Sequence, residues 1–314
     1  MPRRFPIELE LEILEHAFPH IELGALTGPG DALFERRRLF RQLTLVHRDL
    51  TPQIRAEQYS ELALTAPTTW AAVDAAKTRF ERVKAMQGKI RVLSVAMHAT
   101  SDRQADVEVG MIGAALGDMR DDVEALEVRF GKGDPSFILD LPNLRHLALV
   151  GQALMGEACE IASVPSTLSF LFLKKVVPQT LPSSFPHLTT LLLRKIDLDT
   201  NDLDNLLSLC PTLRTFGCIE LYGRSFPSFL QDAPPSLRHL LIGVNDGHEA
   251  EPYAEAVTSL SIPLKSVTLV LSTADYVEDD AGTVFTKWCT ARQVRGRIEY
   301  VDRLRDFDLA AWRP

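Results

Sequence analysis

Apolar residues along most of the chain follow one short pattern, Φ-x-x-Φ-x-Φ, in which Φ is apolar and x is unrestricted. It reads Ile90-Leu93-Val95, Val123-Leu126-Val128, Leu144-Leu147-Leu149 and Leu168-Leu171-Leu173. It continues as Leu188-Leu191-Leu193, Leu213-Phe216-Cys218, Leu237-Leu240-Ile242 and Leu264-Val267-Leu269. The fourth and sixth positions alternate, so they point to one face of a short strand and into a core. Pro142, Pro186, Pro211 and Pro235 each stand two residues before a first apolar position. Proline is tolerated there because its missing N–H lies outside the strand ladder. The windows recur after 33, 21, 24, 20, 25, 24 and 27 residues. Each strand is thus followed by enough chain to return to the starting edge. Two returns carry helical stripes: Trp70, Val73, Ala76, Phe80 and Val83, then Leu203, Leu206, Leu207 and Cys210. The predicted fold is α/β, a right-handed solenoid whose parallel sheet lines the concave side.

The first fifty residues follow a different period. Ile7, Leu11, Leu14 and Phe18 form one stripe of a helix, with Leu9 and Ile13 beside it. Pro6 suits the first turn and Pro19 ends the helix. Residues 20–32 read as a loop, and Leu39, Leu43, Val46 and Leu50 mark a second helix. Thr51-Pro52 starts a third, ending near Tyr59. Three short helices with more apolar surface than they can bury among themselves predict a docking module over residues 1–64, ahead of a repeat domain over 65–314. At the far end Arg297–Val301 reads as a final strand. Residues 302–314, with Leu304, Phe307, Leu309 and Trp312, are expected to cap it, because a terminal repeat needs a cover.

These segments carry a family resemblance. Phe5-Pro6-Ile7-Glu8-Leu9, followed by Leu11 and Ile13-Leu14, resembles the opening of an F-box, Leu-Pro-x-Glu-Leu and then Ile-Leu. Leu45-Val46-His47-Arg48 resembles its second signature, Leu-Val-Cys-Arg, with His47 in place of the cysteine and Leu50 in place of a tryptophan. Tyr59-Ser60-Glu61-Leu62 resembles its close, and the long loop between the signatures is like that of fungal members. Most window intervals fall in the range of leucine-rich repeats, about 20–29 residues. The run Leu206–Leu213 resembles the repeat junction of F-box proteins with leucine-rich repeats. No window ends in the asparagine of the regular repeat, so the repeats are of the irregular kind. The resemblance implies a non-catalytic substrate receptor of an SCF-type ubiquitin ligase. In that role Phe5, Pro6, Ile7, Leu9, Leu11, Ile13, Leu14, Leu45, Val46 and Leu50 would meet a Skp-type adaptor of the cullin–RING ligase, and the repeats would bind a target protein. The alternative is a leucine-rich-repeat scaffold with a helical cap and no ligase role.

Composition narrows the remaining classes. The 314 residues are 46% hydrophobic and 24% charged, which excludes disorder for the bulk of the chain. A net charge of -8 argues against a general binder of nucleic acid or anionic membrane. The cysteines at 159, 210, 218 and 289 are scattered and form no CxxC, so neither a disulfide framework nor a structural zinc is expected. A reducing home, cytoplasmic or nuclear, follows. Acids within the first apolar stretch argue against a signal peptide. The longest uncharged run, residues 176–193, holds three prolines, which argues against a bilayer span. Phosphate loops, serine elbows, zincin and EF-hand motifs are absent, so no enzyme, cofactor or metal is expected. His146 and His239 share the string Leu-Arg-His-Leu and lie four windows apart, so they read as separate surface groups.

The third and fifth positions of each window point away from the core, onto the concave sheet. Most are small or polar. Phe170, Phe172 and Leu192 are not, and they come from adjacent strands with Lys174 and Arg194 at their edge. Either this patch is the exposed target site, or a loop or the C-terminal tail folds into the concavity and buries it.

Overall fold

The computed structural model describes residues 61–67, 69–85, 89–132, 138, 141–152, 157–160, 164–180, 182–196, 206–220, 233–243, 255, 257–272, 281–307, 309 and 312. The expected adaptor-facing residues, from Phe5 to Leu50, lie outside the described residues, as does most of the helical module.

Among the described residues, ten parallel strands form one continuous sheet. In chain order they are β1 (Glu61–Thr65), β2 (Val92–Ala96), β3 (Ala125–Phe130), β4 (His146–Gly151), β6 (Phe170–Lys174), β8 (Thr190–Arg194), β9 (Thr215–Ile219), β10 (His239–Gly243), β11 (Ser266–Ser272) and β12 (Arg295–Val301). The spatial order follows the chain order, and every neighbouring pair is parallel. Two further strands, β5 (Glu157–Glu160) and β7 (Val176–Thr180), pair with each other in a small second sheet that the apolar pattern does not signal. All eight windows coincide with strands, and every window residue is buried. Register explains their alignment: Leu147, Leu171, Leu191, Phe216, Leu240 and Val267 oppose one another strand by strand. The chain is therefore an α/β repeat solenoid, as the pattern predicts.

The prolines have a role beyond tolerance. Leu144, Leu188, Leu213 and Leu237 each donate their N–H to the carbonyl three residues back, on Leu141, Phe185, Cys210 and Pro234. Each proline therefore sits at the second position of a β-turn, where its fixed φ is already correct. The next residue staples the turn to the preceding repeat. The Thr212 hydroxyl donates to the Pro186 and Leu188 carbonyls, both at 3.0 Å, and the Ser236 hydroxyl donates to Pro211 at 2.8 Å and Leu213 at 2.7 Å.

Helices cover the convex side. α1 (Trp70–Ala85) buries Val73, Ala76, Phe80 and Val83, while Trp70, counted in the same predicted stripe, is 64% exposed at its first turn. α2 (Asp102–Leu116) begins at Ser101, whose hydroxyl accepts the Gln104 N–H, and buries Ala105, Ile112, Ala115 and Leu116. The buried Glu108 carboxylate accepts the N–H groups of His98 at 2.9 Å and Ala99 at 3.2 Å, which fixes the loop between β2 and α2. In the second predicted return helix, the described residues 206–209 form a turn, with Leu206, Leu207 and Cys210 buried. α3 (Ala281–Arg292) packs against β12.

Two ends of the sheet depart from expectation. β1 starts at Glu61, inside the segment assigned to the helical module. In sequence Tyr59-Leu62-Leu64 repeats the spacing of the apolar window, and in the sheet Leu62 and Leu64 oppose Leu93 and Val95. At the other end, Gly296 of β12 opposes Val267, a position that is apolar in each of the eight windows. A Cβ there would meet Cys289 Sγ at 2.5 Å and Cys289 Cβ at 3.0 Å, so the glycine is what lets α3 lie close against the last strand.

Gly296→Ala should therefore destabilise the fold by about 1–3 kcal/mol through overpacking. Adding Cys289→Ala should recover part of that loss, because the nearest clash is with the sulfur. Urea denaturation of the single and double variants checks both statements.

Candidate functional site

The concave face consists of rows running across the strands. Its middle row is Ala148, Phe172, Leu192, Gly217, Leu241 and Thr268 on β4, β6, β8, β9, β10 and β11. The row beyond it, toward the strand C-termini, is Val150, Lys174, Arg194, Ile219, Gly243 and Val270.

The tail lies on these two rows. Leu304, Phe307, Leu309 and Trp312 are buried in one cluster with Ala148, Phe172, Leu192, Ile219, Leu241 and Val270, and Val150, Phe170 and Val301 pack at its edge. Polar contacts fix the path. The Ser272 hydroxyl donates to the Asp302 carbonyl at 3.0 Å, and Trp312 Nε1 donates to Thr268 Oγ1 at 3.2 Å. Between them Arg194 Nη2 donates to the Leu304 carbonyl at 3.3 Å, while its Nε pairs with Glu220 at 3.2 Å. Arg194 and Glu220 are both buried, so each charge depends on the other and on its hydrogen bonds. Lys195 adds a second contact to Glu220 at 3.3 Å.

This arrangement changes one expectation and decides between the two readings of the apolar strip. The described tail residues Leu304, Phe307, Leu309 and Trp312, expected to cover the last strand, lie in the concavity against Phe172, Leu192 and Leu241. The strip is also not an open patch. Phe172 is 1% exposed, Leu192 4% and Arg194 6%, while Phe170 and Lys174 are half-buried. Lys174 is held below the usual lysine range by burial and by the neighbouring Arg194, Lys175 and Lys195. The outward polar residues are not all solvated either. Glu127 on β3 has no exposed side-chain surface; it accepts from Ser94 at 3.1 Å and pairs with Arg129 at 2.7 Å. Its carboxyl is pushed above the ordinary glutamate value of 4.5, burial outweighing Arg129 and Ser94.

The row nearest the strand N-termini is different. It comprises His146, Phe170, Thr190, Thr215, His239, Ser266 and Arg295, most of them half-buried or exposed. His146 tilts against Phe170 with ring centroids 5.9 Å apart, and burial lowers its titration. His239 Nδ1 lies 2.8 Å from Ser266 Oγ. Burial lowers its titration too, aided by Lys265, Arg295 and Arg238. These cations escaped the sequence reading, although their signal is plain: the second position of five windows is Arg91, Arg145, Arg214, Arg238 or Lys265.

Among the described residues, the arrangement offers surfaces for binding. Among the described residues there is no group of three or more His, Cys, Asp or Glu side chains placed to hold a metal ion. Burial pushes the thiols up, Cys210 to about 12, Cys289 to about 11 and Cys218 well above its ordinary value, so they are poor nucleophiles. Among the described residues, no helix is long and apolar enough to cross a membrane.

Two expected outcomes follow from the covered face. Phe172→Ser should cost about 3 kcal/mol or more of stability, since it opens a cavity beneath the tail; thermal unfolding measures it. Glu127 binds its proton more tightly in the folded state than in the unfolded chain, so its contribution to stability falls as pH rises through the range just above 4.5. Glu127→Gln should thus be more stable than the parent at neutral pH, and the difference should shrink on acidification below that range. Melting temperatures measured across pH check the sign.

With this geometry in hand, the repeat region can be compared with known protein families. Residues 138–260, over a third of the chain, match the family described as FBD-associated F-box protein At5g56370, LRR repeats. The matched stretch contains β4 to β10, including most of the strip that the tail covers. No curated protein matches the chain. The repeat region is thus similar to leucine-rich repeats that accompany F-boxes.

Proposed function

We propose that this chain is a non-catalytic substrate-recognition subunit of an SCF-type cullin–RING ubiquitin ligase. The observation that carries the reading is the repeat match, because it concerns repeats associated with F-boxes and is independent of the F-box-like residues at the N-terminus. Those residues, Phe5-Pro6-Ile7-Glu8-Leu9 with Ile13-Leu14, and Leu45-Val46, form the adaptor-docking part of the proposal. The solenoid supplies a rigid platform for a target protein. Its chemical contribution is proximity, holding target lysines near a ubiquitin-charged enzyme brought by other subunits. Such a role needs no cofactor. The free thiols of Cys210, Cys218 and Cys289 suit a reducing compartment, the cytoplasm or nucleus.

Target recognition in this proposal does not use Phe172 and Leu192 directly while the tail is seated. It uses the uncovered surface of the repeats.

The test is co-expression with a Skp-type adaptor and affinity capture. The parent should capture the adaptor. Leu14→Asp and Val46→Asp each place an unpaired charge in the proposed interface, so each should weaken capture by at least about a hundredfold while the melting temperature of the repeats stays unchanged. Failure of the parent to bind any Skp adaptor would remove the ligase role. Global unfolding of both variants would mean that these helices cap the solenoid, and the scaffold reading would then stand.

A further inference from the structure

Arg214, Arg238 and Lys265 each stand one residue before a strand, β9, β10 and β11, and Arg295 opens β12. Their backbones are tied in sequence: Arg238 N–H donates to the Arg214 carbonyl at 2.8 Å, Lys265 to Arg238 at 2.7 Å, and Arg295 to Lys265 at 3.0 Å. Arg214, Arg238 and Lys265 hold equivalent positions just ahead of neighbouring strands about 4.8 Å apart, and Arg295, in register with Ser266, stands one position further along on β12, so four cations span roughly 14 Å of the strand N-terminal edge. Arg214, Lys265 and Arg295 are exposed and Arg238 is half-buried.

None of the four forms an ion pair with a carboxylate of the described residues. Other arginines of the same sheet do: Arg91 with Glu124 at 3.0 Å, Arg129 with Glu127 at 2.7 Å, Arg194 with Glu220 at 3.2 Å, and Arg297 with Glu299 at 2.8 Å. Arg238 alone in the row has described side-chain partners, the carbonyls of Pro235 and Leu237, both at 2.7 Å. Like charges on adjacent strands oppose folding, so internal stability does not account for the row. Behind it the half-buried Thr190, Thr215 and His239 add hydroxyl and imidazole groups, and the tail forms a wall on the side of the middle row.

We propose that this basic rim binds an acidic, extended peptide segment of a target protein, lying across β9 to β12. An extended chain advances about 3.3 Å per residue, so about five residues bearing two or three carboxylates span the row. Nucleic acid fits less well. The chain as a whole carries a net charge of -8, which repels a long polyanion, whereas a short acidic segment senses mainly the local cations within a Debye length of about 8 Å. The proposal names the class of target for the recognition role above and rests on that reading; its test does not depend on the adaptor.

The experiment is fluorescence polarisation of the full chain with a labelled octaglutamate peptide and, separately, a labelled octathymidylate. Octaglutamate should bind, and binding should weaken steeply as salt rises from about 0.05 M to about 0.5 M. The triple variant R214E/K265E/R295E should lose at least about tenfold in affinity with an unchanged melting temperature. Should that variant fail to fold, R214Q/K265Q/R295Q should show a smaller loss in the same direction. K77E/R79E, on the exposed convex face of α1, should bind as the parent does. Absence of octaglutamate binding, equal binding by the rim variants, equal loss in K77E/R79E, or tighter binding of octathymidylate would each overturn the proposal. Loss of adaptor capture with rim binding intact would instead overturn the ligase reading and leave the rim as a site.

Discussion

The structure depends on strict strand-to-strand register. Each strand meets only its two neighbours, so a slip of one residue would turn every inward leucine toward solvent. Register is enforced where each strand begins. One carbonyl accepts two successive N–H groups of the next strand: Glu124 from Arg145 and His146, Arg145 from Ser169 and Phe170, Arg214 from Arg238 and His239. Just upstream, a proline-bearing β-turn delivers the first apolar residue, and a hydroxyl ties that turn to the repeat before it. Backbone, turn and side chain all fix the same phase.

That redundancy is why so much of the sheet was legible in the chain. Leu213-Phe216-Cys218, preceded by Pro211, announces a strand because alternation and the proline agree. The convex helix α1 was legible for a similar reason, since Val73, Ala76, Phe80 and Val83 keep a helical period. Gly296 was not, because a glycine at an apolar position looks like a break in the pattern until α3 is seen pressed against it. Tyr59-Leu62-Leu64 was absorbed into the F-box-like reading, since one apolar window can satisfy two templates. The small β5–β7 sheet has no such alternation to declare it.

The face that would meet a partner is harder to read from sequence. Phe172 and Leu192 are apolar and point outward, and the linear pattern is the same whether such residues await a partner or already have one. What decides is a segment more than a hundred residues later in the chain, and Leu304, Phe307, Leu309 and Trp312 carry no mark that tells an end cap from a concave filling. The basic rim is the opposite case. Arg214, Arg238 and Lys265 recur at one position of the repeat, but their significance emerges only when the sheet brings them together with Arg295 and, among the described residues, no carboxylate pairs with them.

The seating of the tail also sets an order of events during synthesis. Each strand can add to the stack soon after it emerges, because its contacts are to the strand just made. The concave strip cannot be completed in this way. Arg194 waits for the Leu304 carbonyl across 110 residues of sequence, and the side chains of Phe172 and Leu241 wait for the same segment. A chain still attached to the ribosome therefore presents an assembled sheet with an oily furrow along it, until the segment from Asp302 to Trp312 leaves the exit tunnel. Over that interval the exposed furrow is apolar surface of the kind that makes incomplete chains prone to aggregate.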